Sequence, residues 1–121
     1  MYDSRLVGTW RSDARKTCIE IAARRDMRLA KNRKLATLFG KLELRYTRRL
    51  RYSRFEDHES VSAYQVVAKD EYSVALVTFD PLAGRQIVHI HFEGNYFWVY
   101  LGSGGLREFF RRVKVKREGR L

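Results

Sequence analysis

The sequence predicts a mainly β protein: an eight-stranded antiparallel up-and-down barrel, with a helix or helix–turn–helix inserted after the first strand. Three observations carry this expectation. After Gly40 the chain is dominated by Tyr, Val, Phe, Thr and Ile, residues that fit a pleated, half-buried surface. Turn signals recur there at short intervals, and short links force antiparallel neighbours, because a parallel return needs a dozen residues or more. Before Gly40, residues 14–39 hold no Pro and no Gly and are rich in Ala, Leu, Arg and Lys, as a helix requires.

The elements follow in order. Leu6 to Arg11 reads as a short first strand, and Ser12 and Asp13 as a helix N-cap. From Ala14 to Phe39 the pattern is helical and closes on Gly40 as a C-cap. Ile21, Ala22, Met27, Leu29, Ala30, Leu35, Leu38 and Phe39 form an apolar stripe whose phase slips near Arg24 to Arg28, which predicts a helix–turn–helix or one bent helix. Leu42, Leu44 and Tyr46 then alternate with Glu43, Arg45 and Thr47, the period of a half-buried strand. Further strands read over Leu50–Phe55, Ser60–Ala68, Tyr72–Phe79, Arg85–Phe92, Asn95–Tyr100 and Leu106–Val115. Eight such strands leave two exposed edges unless the first pairs with the last, so closure into a barrel is expected. A barrel of that size is filled by side chains or holds one small ligand. The tail, 116–121, reads as frayed.

Composition narrows the class. A length of 121 residues fits one domain, 1–121. At 45% hydrophobic and 13% aromatic, the chain can bury a core and is too apolar to be disordered. No uncharged apolar run approaches the roughly 18 residues of a membrane-spanning helix. The start, Met1 to Arg5, has no signal-peptide character, which makes a cytoplasmic location the expectation. The single Cys18 excludes an internal disulfide and a multi-cysteine zinc site. The net charge of +11 is uneven. Residues 1–54 hold 16 basic and 5 acidic groups, residues 55–106 hold 2 and 7, and residues 107–121 hold 7 and 2. If the two ends meet in space, one side of the molecule is cationic and attracts anions.

Gly8-Thr9-Trp10 is the most informative triplet. The Gly lets the strand bend tightly, and the Trp supplies a large plug whose indole N–H needs a partner. On the last strand, alternation puts Arg107, Phe109, Arg111, Val113 and Val115 on one face, and its apolar members mark that face as the inner one. A guanidinium there is compensated by stacking on an indole.

With these residues in view, the chain resembles the calycin superfamily, which includes lipocalins and fatty-acid-binding proteins. In that group a first-strand Gly-x-Trp closes one end of the barrel and a last-strand Arg packs across it. Gly8 and Trp10 match the opening motif, and Arg107 or Arg111 is the expected partner. A helix pair after strand one is similar to the fatty-acid-binding arrangement. There an Arg-x-Tyr on the final strands holds the ligand carboxylate; here Arg107-Glu108-Phe109 stands instead, and eight strands replace that subfamily's ten. The resemblance implies a small-ligand binder.

The remaining candidates are weighed on residue type. Tyr96, Trp98 and Tyr100 share one strand face, and either that face or its reverse suits the wall of an apolar pocket. Tyr46, Tyr64 and Phe109 are further ligand-lining candidates. His89 and His91 sit on one face of a strand, a two-imidazole pair that needs a third ligand to hold a metal, while Ile90 marks the opposite face as core. The run Tyr46 to Arg54 mixes cations and aromatics as a nucleic-acid surface does, without matching a nucleic-acid motif. Catalytic signals are thin. Cys18 has Arg15 and Lys16 nearby to lower its pKa but no neighbouring His, Ser103 lies in a Gly-rich turn, and Glu56, Asp57 and Glu59 form a charged turn. The expectation is non-catalytic binding of a small apolar or anionic ligand inside the barrel, with no cofactor. The alternative is a basic surface that binds nucleic acid or an acidic protein.

Overall fold

The computed structural model describes residues 2–25, 39–80, 84–101 and 106–114. Its elements are β1 (Gly8–Ser12), α1 (Ala14–Arg25), β2 (Leu42–Tyr46), β3 (Leu50–Phe55), β4 (His58–Lys69), β5 (Ser73–Asp80), β6 (Gly84–Glu93), β7 (Tyr96–Leu101) and β8 (Leu106–Val113). Each strand pairs antiparallel with the next, and β8 pairs antiparallel with β1, so the sheet is a closed eight-stranded barrel. The closing register is Thr9↔Val113, Trp10↔Arg112, Arg11↔Arg111 and Ser12↔Phe110.

The first strand begins at Gly8 rather than Leu6. Leu6 belongs to a turn in which its N–H bonds the Asp3 carbonyl, and its fully buried side chain stoppers the barrel end near Trp10. Arg5 fastens this turn to the β4–β5 link: its guanidinium pairs with Asp3 at 2.7 Å and donates to the carbonyls of Asp70 and Glu71. That hydrogen-bonded pairing with Arg5 holds the Asp3 carboxyl below the usual aspartate range.

Asp13 caps α1, accepting from the Lys16 N–H at 3.0 Å, as its position before the apolar pattern requires. The helix takes over where β1 leaves off beside β8: Thr17 Oγ1 accepts from the Phe109 N–H at 2.9 Å, and Thr17 and Ile21, one turn apart, are both buried. The second part of the expected helical insertion, 26–38, lies outside the described residues, as do Val115, Ser103 and the tail 116–121.

The core fills one half of the barrel. Leu6, Trp10, Leu44, Tyr46, Tyr64, Val66, Val74, Leu76, Ile90, Phe97 and Phe110 form one buried cluster. Trp10 is 2% exposed, its indole N–H donates to the Leu6 carbonyl at 2.9 Å, and its ring lies 4.7 Å from that of Phe97.

A guanidinium does cross the tryptophan, but it belongs to Arg112, not to Arg107 or Arg111. Its Cζ stands 4.3 Å over the Trp10 ring, and its two terminal nitrogens donate to the carbonyls of Val7 and Arg5. The strand phase explains the correction. Phe109 and Phe110 are adjacent and both buried, so apolarity alone cannot assign the faces. Register places Phe110 and Arg112 inward, opposite Ser12 and Trp10. Phe109 and its face-mates Arg107 and Arg111 therefore point outward, and α1 supplies the cover over Phe109.

Gly8 has φ +138°, and a Cβ built on it would stand 2.5 Å from Arg112 Nη1. Two costs thus meet in Gly8→Ala, a strained backbone and a displaced guanidinium. The variant should lose about 1–3 kcal/mol in urea denaturation. Part of that loss should vanish when Arg112 is already Ala, giving a non-zero coupling in the double-mutant cycle. Trp10→Ala should cost more, about 3–5 kcal/mol, because burial outweighs the roughly 0.5–1 kcal/mol of an exposed cation–ring contact. Additive single effects would show that Arg112 does not press on Gly8.

Candidate functional site

The inward positions change character along the barrel. At the Trp10 end they are large and apolar. At the other end, where β1 hands over to α1, they are mixed: Ser12, Ser53, Ser60, Ser62 and Thr78 stand among Phe55, His58, Gln86, Leu106 and Glu108. Ser53 and Ser62 are half-buried and Ser60 is exposed, so water reaches this inner surface. Ser53 and Ser60 hydroxyls bond each other at 2.6 Å. Half-buried Leu42, Val88 and Val99 pack against the core cluster and, with half-buried Leu101, form its apolar border toward this end.

One carboxyl faces this mouth from β8. Glu108 sits opposite Val99 on the inner face, and its Oε2 accepts from Ser12 Oγ at 2.8 Å. Ser12 Oγ in turn accepts from the Gly40 N–H at 3.0 Å, tying the return of the helical insertion to the barrel rim. Burial pushes the Glu108 carboxyl above the usual glutamate range, and the Ser12 hydrogen bond offsets only part of that.

The residues expected to line a ligand site divide differently. Tyr46 and Tyr64 do point inward, yet they are part of the packed core and their hydroxyls are taken. Arg51 Nε donates to the Tyr46 hydroxyl at 3.1 Å, and the Tyr64 hydroxyl donates to the Thr47 carbonyl. Burial raises the pKa of the Tyr46 phenol and pushes that of Tyr64 up to about 12. Tyr96, Trp98 and Phe109 are on the outside of the barrel. Their neighbours in register, Arg111, His91 and each other, fix that face. Ser12 and Glu108 were missed because a serine next to a helix cap and a lone strand glutamate carry no signal until β1 and β8 are paired.

Outside, β6, β7 and β8 carry a connected set of rings. His91 stacks on Trp98 at 4.0 Å with planes 10° apart, His89 lies 4.1 Å from His91, and Tyr100 meets Trp98 edge-on at 5.0 Å. Arg107 covers Trp98 at 4.6 Å while its guanidinium holds Glu20 of α1 at 2.5 Å. Lys16 stands over both Tyr96 and Phe109. His91 is held below the ordinary histidine pKa by burial and by neighbouring His89, and its Nε2 is buried without a hydrogen-bond partner. His89 and His91 face outward, as the core position of Ile90 between them requires. Among the described residues no group of three or more His, Cys, Asp or Glu is placed to hold a metal ion. The Cys18 thiol is pushed up by burial rather than down by its basic neighbours.

Grooves of about 160, 230, 320 and 430 Å³ are lined by described residues, and all four lie on the exterior. No described helix is long and apolar enough to cross a membrane. In comparison with known proteins, no family model, no curated protein and no solved structure matches the chain.

The raised Glu108 pKa has a sign. The folded protein holds this proton more tightly than the unfolded chain, so stability is lost as pH rises from the ordinary glutamate value through the raised one. Glu108→Gln removes that loss. Urea midpoints of the variant and the parent should diverge in the variant's favour across that window and run parallel above it. A constant offset at every pH would mean that Glu108 is no more buried than a surface glutamate.

Proposed function

We propose that the protein is a non-catalytic binder of a small ligand, seated in the more polar half of a calycin-like barrel. The observation that carries this reading is the change in the inward side chains from an apolar end to a more polar one that holds Ser12, Ser53, Ser60, Gln86 and Glu108. The ligand this lining suits has an apolar body against Leu42, Val88, Val99 and Leu101, and a polar group that hydrogen-bonds Ser12, the serines or Glu108. Glu108 disfavours a carboxylate placed beside it, which narrows the anionic class the sequence suggested. Support for calycin kinship comes from the closed eight-stranded barrel and from Gly8, Trp10 and the last-strand Arg112 across them.

Native mass spectrometry of freshly purified protein should show a co-purified small molecule at one per chain. Replacing an inward small residue with a bulky one, as in Ser62→Trp, should fill the space and weaken binding of that molecule at least tenfold, with little change in melting temperature. Ligand-free protein that also shows no saturable uptake of an environment-sensitive apolar dye would end this reading.

A further inference from the structure

Pairing β8 with β1 brings two arginines into direct opposition on the outer surface. Arg11 and Arg111 are cross-strand partners, and both are exposed. Like charges directly opposite destabilise a strand pair unless something neutralises them. Neither arginine is in an ion pair with a described carboxylate. Glu43, next in register to Arg11, is engaged by Arg54 at 3.2 Å. Glu56 is paired with Lys41 and Glu20 with Arg107. Arg11 donates only to the Gly40 carbonyl, and Arg111 and Arg15 have no carboxylate partner among the described residues.

The surroundings extend this cationic pair on both sides. Tyr96 is the other register neighbour of Arg111 and borders a groove of about 430 Å³ with Arg15, Lys16 and Ile19. Arg11 borders a second groove of about 320 Å³ with Lys41 and Arg54, in which Glu43 and Glu56 are the counter-charges of those two. Along β7, two positions on from Tyr96 each time, stand Trp98 and then Tyr100, which is 54% exposed. Exposed His89 continues the ring set beyond His91. Arg11, Arg15 and Arg111, which have no ion pair among the described residues, therefore lie on the same outer side as the exposed rings of Tyr100 and His89.

We infer that the outer face of β7, β8 and β1 binds single-stranded nucleic acid, with phosphates on Arg111 and Arg11 and bases against the Tyr100 and His89 rings. Cations alone would fit any polyanion; the adjoining exposed rings favour a strand with bases, because stacking supplies the sequence-tolerant part of such binding. The segment Tyr46 to Arg54 contributes less than its composition suggests. Arg51 is spent on Tyr46, Arg54 on Glu43, Arg48 lies over Tyr2, and Tyr52 is covered by Arg45.

The test uses the full chain and a fluorescently labelled 20-nucleotide oligo(dT), read by anisotropy over a series of salt concentrations. Binding should weaken linearly in log–log form with salt. Arg11→Glu/Arg111→Glu should weaken it at least tenfold and flatten the salt slope by about 1.4, since each lost phosphate contact on a single strand removes about 0.7. Lys69→Glu/Arg85→Glu, the same charge change on the other half of the barrel, should leave it within twofold. Tyr100→Ala should weaken oligo(dT) but not inorganic polyphosphate. Circular dichroism and melting temperature verify that each variant is folded. Equal loss in both charge-reversal pairs would reduce the effect to net charge and overturn the site. No binding at low salt, or tighter binding of polyglutamate than of oligo(dT), would overturn the choice of partner.

Discussion

Everything in this fold depends on β8 closing against β1. That pairing removes the two edges an eight-stranded meander would otherwise expose. It also puts Trp10 under Arg112 and gives the Leu6 turn a buried seat. The indole is the heavier partner in energetic terms: it is almost wholly removed from water, whereas Arg112 keeps much of its hydration. The guanidinium acts more as a clasp, linking the β8 end to the carbonyls of Val7 and Arg5. Gly8 is the residue that lets this clasp approach the backbone.

The same closure sets the electrostatic shape. The basic stretches of sequence lie at the two ends of the chain, and the acidic stretch lies between them. Joining the ends gathers β8, β1, β2 and β3 into a cationic side, with β4, β5 and β6 opposite. On that side Glu20, Glu43 and Glu56 are matched by Arg107, Arg54 and Lys41, which leaves Arg11, Arg15, Arg45, Arg48, Arg49 and Arg111 without a carboxylate partner among the described residues. Inside, the chemistry is reversed. Burial holds the proton on Glu108, and the Ser12 hydroxyl, which favours the charged form, offsets part of that.

α1 connects the inside and the outside. Its buried Thr17 and Ile21 stand at the barrel rim, and Thr17 completes the backbone hydrogen bonding of β8 beyond the end of β1. Its Lys16 and Glu20 reach the outer aromatics and Arg107. A change at the rim and a change on the outer ring surface are therefore felt by the same short helix.

The residues by themselves determined the class, the strand count and the antiparallel order, because side-chain alternation and short links are local properties of the chain. They also determined the Asp13 cap and a large first-strand tryptophan whose indole N–H needs a partner, while the arginine across it was what the family resemblance implied. Which arginine it is, they did not determine. Phe109 and Phe110 are both apolar, and only the register with Trp10 and the cover from α1 tell the inner one from the outer. The aromatic candidates Tyr96, Trp98 and Phe109 were moved outside by the same phase, and Tyr46 and Tyr64 were absorbed into the core. The meeting of Ser12 with Glu108, and of Arg11 with Arg111, spans nearly the whole chain length. Only tertiary structure decides such contacts, because they arise from closure of the sheet and no local pattern encodes them.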